Sequence, residues 1–451
     1  MAVISGSPLG DLLDGTPDAD DITGLGGSDT LHGFAGNDSL YGGSGDDSLN
    51  SGDGDDLVQG GTGDDWLVND GGDDSAYGGA GNDRLVMGDL VYGSAGHAYG
   101  GAEDDILLFT DVVGGLAHGG DGLDTVGIVW ADATTAGNVR IDLSAATPFV
   151  TATGGLSLTL TQVERLFAIL GSGDDTVLGG AYGDSIQTTG GLDQLHGMGG
   201  DDTIRYDIGE AATLTGGTGT DTLIVTETRA TPVYFIVDGA TGTADDGQLS
   251  QISEFEAYDV RGNSGNDIVA TGAGNDAIYA GLGDDTLIGR EGNDVLQGNR
   301  GQDHLFGGDG NDRLIGGGQA DSIEAGDGND TIVSAAGSDT LTGGAGSDRF
   351  VFSYGESGFD LITDFASGQD MIRYLGAHLG VLAPGPGRLD ADQLRAEVAI
   401  GTHAQFITRY MADEDQTVLL YFDQGTNTHG AYALIRFDGA VTLAASDISI
   451  I

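Results

Sequence analysis

Apolar residues in this chain fall on a nine-residue beat. Ile22, Leu31, Leu40, Leu49, Val58, Leu67 and Leu85 keep it near the N-terminus, and Leu287, Leu296, Leu305, Leu314, Ile323, Ile332 and Leu341 keep it again further on. An amphipathic helix repeats its apolar face every three to four residues and a half-buried strand every two. A beat of nine therefore belongs to a larger unit that contains one short strand and one loop. The loops are written in glycine and aspartate: Gly78-Gly79-Ala80-Gly81-Asn82-Asp83-Arg84-Leu85-Val86 and Gly307-Gly308-Asp309-Gly310-Asn311-Asp312-Arg313-Leu314-Ile315 are nearly the same word.

With the first Gly as position one, the apolar residue stands at position eight and an aspartate at position six. Eight repeats in the first block place Asp20, Asp29, Asp38, Asp47, Asp56, Asp65, Asp74 and Asp83 nine residues apart. A second block starts at Leu170 and carries Asp175, Asp184, Asp193 and Asp202, with a further copy out of phase around Asp221. Ten uninterrupted repeats from Gly262 carry Asp267, Asp276, Asp285, Asp294, Asp303, Asp312, Asp321, Asp330, Asp339 and Asp348.

Glycine at positions one, two and four allows positive φ and a tight curl that turns carbonyl oxygens toward one point. The position-six carboxylate then closes that point. Carbonyls and carboxylates are the hard-oxygen set that calcium takes, and the repeat offers no nitrogen or sulfur for a transition metal. These aspartates are accordingly the candidate ligands of multiple Ca2+ ions. Three residues remain after each loop, enough for one short strand whose middle, apolar residue points inward. Two facing repeats bury each other's apolar residues, so eighteen residues make one coil of an all-β, right-handed parallel β-roll or β-helix solenoid. Asp267 then sits above Asp285, and Asp276 above Asp294, with room for a cation between them. Pairing throughout gives a ceiling of roughly sixteen ions. One apolar side chain per nine ordered residues is little burial, so folding is expected to wait for calcium.

Two stretches interrupt the beat and resemble each other. One runs from Gly119-Gly120-Asp121-Gly122-Leu123-Asp124 to Gln162-Val163-Glu164-Arg165-Leu166, the other from Gly216-Gly217-Thr218-Gly219-Thr220-Asp221 to Gln251-Ile252-Ser253-Glu254-Phe255-Glu256. Both read as widened coils. The expected divisions are a first repeat block at 1–99, an insert at 100–169, a second block at 170–224, an insert at 225–261, a third block at 262–351 and a β-rich cap at 352–451. Within the cap, Asp390 to Ile400 reads as a helix with a capping arrangement at Asp390 and Gln393, and Thr417 to Phe422 and Ala431 to Phe437 read as strands.

The net charge of −57 changes the picture less than its size suggests, because only 11 of the 72 acidic residues are Glu and roughly sixteen divalent ions on the repeat aspartates would offset more than half of it. A chain this acidic repels nucleic acid and anionic lipid. No apolar run reaches membrane-spanning length. Absence of cysteine is neutral on redox compartment for a metal-stapled protein. Sites of extracellular strength would stay empty in the cytosol, which places folding outside the cell, yet Met1 to Gly6 shows neither a basic n-region nor an apolar h-region, so no cleavable signal peptide is expected. Catalytic chemistry is not evident. The sequence has no His-Glu-x-x-His, no Gly-x-Ser-x-Gly and no cysteine nucleophile. His32, His196 and His304 fall on outward positions of the repeat. Glu103, Glu164 and Glu254 are better read as parts of ligand sets or solvated faces than as general acids.

The repeat Gly-Gly-x-Gly-x-Asp-x-U-x, with U apolar, resembles the calcium-binding nonapeptide of the repeats-in-toxin (RTX) family. Asp348-Arg349-Phe350-Val351-Phe352, Phe359 to Phe365 and Gly368 to Ile372 resemble the C-terminal region of serralysin-type and other RTX proteins exported by type I secretion. The last residues, Asp447-Ile448-Ser449-Ile450-Ile451, look like the terminal signal of that class and read equally as a last strand capping the roll. The resemblance implies a secreted protein at the cell surface or in the extracellular matrix, with the type I apparatus as partner and a surface polysaccharide or its own copies as further partners. Protease activity does not carry over, since the zinc motif is missing. Pore formation does not either, because all fifteen basic residues are Arg, and the acylated lysines and apolar helical region of the pore-forming members have no counterpart. The expected role is structural or adhesive, the alternative a secreted polysaccharide- or peptide-acting enzyme with its site in the inserts or the cap.

Overall fold

The beat resolves into strands longer than the three residues expected. Thr30–Ala35, Ser39–Ser44, Ser48–Asp53 and Leu57–Thr62 each run from position seven of one repeat to position three of the next, because the residues that open the following loop go on pairing with the coil beside them. Side chains alternate across a strand, so positions eight and one both face inward. Leu31, Leu40, Leu49 and Val58 are buried at position eight. Position one is mostly glycine, which leaves the core one apolar side chain thick.

The structure is a computed structural model, and it describes residues 1–88, 95–110, 114–130, 138–153, 156–208, 212–227, 232–238, 243–246, 250–353, 358–375, 404–411, 416–423, 431–438, 441, 443 and 447–450. The chain divides into two compact units, Met1–Leu223 with Gln248–Phe255, and Ile224–Gly247 with Glu256–Ile451. Each is a parallel β-solenoid, and no helix occurs among the described residues.

In the first unit one sheet stacks Val3–Ser5, Asp21–Thr23, Ser39–Ser44, Leu57–Thr62, Ser75–Ala80, Gly96–Ala102 and Gly114–Asp121 in parallel. The other stacks Leu12–Asp14, Thr30–Ala35, Ser48–Asp53, Trp66–Asn69, Arg84–Met87, Ile106–Thr110, Thr125–Val129 and Arg165–Ile169. Partners in the repeat block are eighteen residues apart, as Leu31 and Leu49 are. The first insert widens this solenoid with a meander. Leu156–Thr161 lies parallel to Gly114–Asp121 and antiparallel to Phe149–Ala152, which is antiparallel to Val139–Asp142; that strand resumes parallel pairing with Thr176–Leu178. Outward side chains form ladders of their own: Tyr77 and Tyr99 stack with centroids 4.6 Å apart and planes 3° from parallel.

In the second unit Tyr234–Asp238 pairs antiparallel with Thr243–Asp245 and parallel with Ile268–Ala270, the same meander logic. Parallel coils then run without interruption from Ala277–Leu282 and Thr286–Glu291 to Thr340–Ala345 and Arg349–Ser353. The cap is an antiparallel sheet of Ala404–Met411, Gln416–Asp423 and Ala431–Asp438, and the last of these continues the solenoid beside Asp360–Ile362. Phe365 packs against Phe350 at 6.0 Å and edge-on to Phe437 at 5.3 Å, giving this end an aromatic core. The two expected cap strands are present; the expected helix from Asp390 to Ile400 lies outside the described residues. Ile448–Ile450 pairs in parallel with Met371–Leu375, so the tail is a strand of the roll.

Glycine serves two different purposes in these coils. Positions two and four take left-handed φ, as at Gly308 (121°) and Gly310 (139°), whereas the position-one residue Gly307 does not. The expectation of positive φ at all three positions is therefore corrected at position one. A side chain at Gly308 would be strained and would press on the Arg290 backbone, while one at Gly318 would meet nothing closer than the Asn299 carbonyl oxygen at 3.7 Å. Gly308→Ala is expected to lower stability by at least about 1 kcal/mol and Gly318→Ala to be neutral or slightly stabilising, measured by thermal unfolding in saturating calcium.

Candidate metal centre

All twenty-two aspartates expected at position six are buried. They stack in ladders along the edges where strand turns into loop. One ladder of the first block is Asp20, Asp38, Asp56, Asp74 and the other Asp29, Asp47, Asp65, Asp83; at each step the backbone N–H of one aspartate donates to Oδ1 of the aspartate eighteen residues on, at 2.7 to 2.9 Å. The second block pairs Asp175 with Asp193 and Asp184 with Asp202 in the same way. In the third, Asp267, Asp285, Asp303, Asp321 and Asp339 form one ladder, and Asp276, Asp294, Asp312, Asp330 and Asp348 the other. The space between stacked carboxylates is thus not an open gap, as the spacing alone implied. Its Oδ1 side is closed by a charge-assisted hydrogen bond.

Oδ2 is different. At Asp29, Asp38, Asp47, Asp65, Asp74 and Asp83, at Asp175 and Asp202, and at Asp285, Asp294, Asp303, Asp312, Asp321, Asp330 and Asp348 it is buried and accepts no hydrogen bond. Where position one is glycine, Oδ2 turns back over it. The place a Cβ on Gly24 would occupy is already claimed by Asp29 Oδ2 and by the Gly42 carbonyl oxygen, and on Gly289 by Asp294 Oδ2 and the Gly307 carbonyl oxygen. Glycine at position one, where it occurs, leaves room for the carboxylate and carbonyl oxygens that converge there. Among the described residues no group of three or more His, Asp or Glu side chains gathers as a metal centre, so any cation here draws on one carboxylate oxygen per loop and on backbone carbonyls. A bare buried carboxylate oxygen facing carbonyl oxygens suits a hard divalent cation, and these loops fit calcium.

The ladders extend beyond the strict beat. The Asp83 N–H donates to Asp105 Oδ1 and the Asp105 N–H to Asp124 Oδ1, at 2.8 and 2.9 Å, and the Asp124 N–H ends that edge on Glu164 Oε2 at 2.9 Å. Asp221 follows Asp202, Asp360 follows Asp339 and Asp370 follows Asp348. Oδ2 of Asp105 and Asp124 is bare like the others. At the far end, Asp447 accepts from the Ser367 hydroxyl at 2.7 Å and the Gly368 N–H at 3.2 Å. A nine-residue count loses these residues because the coils between them carry extra residues. The signal that finds them is the Gly-Gly-x-x-x-Asp word at Gly100 and Gly119, with Glu103 in left-handed backbone (φ 81°) where glycine is expected. A second, exposed ladder at position five runs the opposite way. The N–H of Asn293, Asn311 and Asn329 donates to Oδ1 of the Asn eighteen residues earlier at 2.7 to 2.9 Å.

Burial, reinforced by stacked like charges, pushes these carboxyls up. Asp65, Asp74, Asp83, Asp285, Asp294 and Asp321 rise to about 7. Asp38, Asp330 and Asp348 rise to about 6. Asp339, which faces Asp360, rises to about 8. Among the described residues every carboxyl raised in this way belongs to a ladder. Asp20 goes the other way, held below the usual carboxylate range first by the Ala2 N–H and then by the hydroxyl and N–H of Thr16.

A stacked, carboxylate-edged parallel roll of this construction is a calcium-binding β-solenoid. The RTX calcium-binding nonapeptide repeat (4 copies) matches residues 14–49, 50–85, 169–209, 261–296, 288–323, 315–350 and 324–362, and the chain carries that repeat. Among solved structures, a similar one is the hyperactive, Ca2+-dependent, β-helical antifreeze protein from an Antarctic bacterium, at 18% identity over 66% of this chain and 84% of that one, with a TM-score of 0.25. No curated protein matches.

In the metal-free chain Asp38, Asp65 and Asp339 hold protons more tightly folded, at about 6, 7 and 8, than the unfolded value of about 3.9. The folded form therefore binds more protons between those limits, and its stability falls as pH rises through that window. In EGTA, circular dichroism is expected to show more β-structure near pH 5 than near pH 8. With calcium present, the folding midpoint is expected not to rise as pH falls from 8 to 6, because the unfolded carboxylates stay ionised there while protons add to the stability of the folded form.

Proposed function

We propose that this chain is a secreted protein that folds on calcium after export and acts as a non-enzymatic structural or adhesive element of a cell surface or extracellular matrix. The observation that carries the reading is the row of buried aspartates whose Oδ2 has no donor inside the protein. A buried charge without a partner is strongly destabilising, and repeated along both edges it leaves a metal-free roll that is held apart by its own carboxylates. Calcium neutralises them and supplies binding free energy that a core one side chain thick lacks. The position-six aspartates with bare Oδ2 are the ligands, together with carbonyls of the position-one and neighbouring loop residues.

Confinement of raised carboxyls to the ladder edges favours this role over the enzyme alternative, which needs a perturbed acid in a cleft away from them. The partners proposed are the type I apparatus during export and, afterwards, a surface polysaccharide or further copies of the chain. Export unfolded and folding outside follow from the low calcium of the cytosol.

Calcium titration followed by circular dichroism is expected to take the chain from coil-like in excess EGTA to β-rich at millimolar calcium; a β-rich spectrum in EGTA at neutral pH would remove the basis of the reading. Within that titration, Asp294→Ala and Asp321→Ala should both raise the midpoint by similar amounts, since each removes a bare Oδ2 from a loop that holds one non-glycine residue in left-handed backbone, Arg290 (φ 81°) and Gln319 (φ 83°).

Export makes a separate prediction. Deleting 447–451 is expected to trap the protein inside the cell and deleting 1–10 to leave secretion unchanged, read by immunoblot of medium and cells. Because Ile448–Ile450 is also a strand of the roll, Asp447→Ala serves as control. It should weaken calcium-driven folding in vitro while the chain is still exported.

A further inference from the structure

The ladders contain loops of two kinds, which differ in where the N–H of position two points. In most loops with bare Oδ2, Asp70 ahead of Asp74 and Gly171 ahead of Asp175 being departures, position two is left-handed: Gly43, Gly61, Gly79 and Gly308 at 117°, 124°, 123° and 121°, and even Arg290 and Asn299 at 81° and 76°. That conformation sends the position-two N–H to the neighbouring coil, as Leu25 (φ 85°) sends its own to the Gly42 carbonyl at 3.0 Å, and leaves the carboxylate without a donor.

In a second set, position two is not left-handed and its N–H turns inward onto Oδ2. Ser7 donates to Asp11 at 2.6 Å, Thr16 to Asp20 at 2.6 Å, Gly180 to Asp184 at 2.7 Å, Asn263 to Asp267 at 3.1 Å and Ala366 to Asp370 at 2.7 Å. Hydroxyls of Ser7 and Thr16 add a further bond each at 2.8 Å. We propose that these five loops are closed by hydrogen bonds and take no calcium, so that metal-free turns stand near the start of each repeat block and beyond the end of the third. The inference rests on the calcium reading of the open loops and limits it.

Three observations converge on it. The positive end of an N–H dipole stands within hydrogen-bond distance of Oδ2, where a cation would have to stand, and repels it. The closed loops also sit at block boundaries. Oδ1 of Asp20, Asp184 and Asp267 accepts from Ala2, Leu166 and Val233, none of them an aspartate, so the neighbouring coil brings no carboxylate to share an ion, and Asp370 is the far end of its ladder. The sequence departs from the repeat in these same loops, with Thr16, Asn263 and Ala366 at position two and Tyr182 at position four ahead of Asp184; without glycine the left-handed turn that opens the loop is disfavoured. Two boundary aspartates stand outside the five: Asp276, which accepts from Tyr258, and Asp175, which accepts from Val139 yet keeps a bare Oδ2. Asp175 therefore belongs with the open loops.

Crystals of the full chain soaked in terbium chloride test the assignment by anomalous scattering. Peaks are expected beside Oδ2 of Asp47, Asp65, Asp294 and Asp312 and none beside Asp20, Asp184 or Asp267. A peak at any of those three overturns the inference, whereas no peak at any ladder overturns the calcium reading instead. Asn263→Gly restores the repeat word ahead of Asp267, and native mass spectrometry in calcium should then count one ion more than in the unaltered chain. An unchanged count would show that position two does not decide whether a loop takes metal.

Discussion

A carboxylate bonded on one oxygen across the coil interface and bare on the other sets the terms for everything around it. The N–H to Oδ1 bond fixes the stacking of the coils, eighteen residues apart inside the repeat blocks, because it can form only when one loop lies directly beside the next. The bare Oδ2 crowds position one, which is glycine in most loops, and so thins the core there to one apolar residue per repeat. A core so thin cannot hold the fold alone, and the same oxygen that thins it is the group through which a cation can replace the missing stabilisation. Sequence, packing and metal dependence are therefore one constraint seen at three levels.

Much of this was legible in the residues. The phase of the beat gave the coil length and the inward position, and Leu296 is fully buried where the pattern puts it. The distinction among glycines was not legible, because Gly307 and Gly308 look alike in sequence and only backbone geometry separates a residue that needs left-handed φ from one that needs an empty Cβ. Asp105, Asp124, Asp360 and Asp370 escaped the count because their spacings from the preceding ladder member are 22, 19, 21 and 22 residues; the fold tolerates extra residues inside a coil, and a fixed period does not. The exposed asparagine ladder was missed for another reason. Position five looks like a free choice until the loops are stacked and its side chain is found serving the next coil.

The inserts show how the ladder is stopped and restarted. Gln162 and Glu254 are both left-handed, at φ 48° and 62°, and their carbonyls accept from the position-two N–H of Gly120 and Gly217, each at 3.3 Å. Glu164 then takes the aspartate's place at the end of one edge with a side chain one methylene longer. A longer acceptor reaches the last N–H from a coil that is no longer in eighteen-residue register, which lets the chain leave the beat, build an antiparallel meander and re-enter.

Re-entry again falls on apolar residues. Val139, Leu166, Val233 and Tyr258 donate their N–H to the first aspartate of an edge, Asp175, Asp184, Asp267 and Asp276, so an edge begins with a backbone donor and no upstream carboxylate. Like-charge repulsion is therefore lowest where an edge starts and grows as aspartates accumulate along it. Cations that bridge loops inside the block relieve the repulsion where it is greatest, which couples each ion to its neighbours on the edge. Nearest-neighbour coupling of this kind makes a block gain or lose order as a unit, and the metal dependence of the fold is then a property of whole edges more than of single sites.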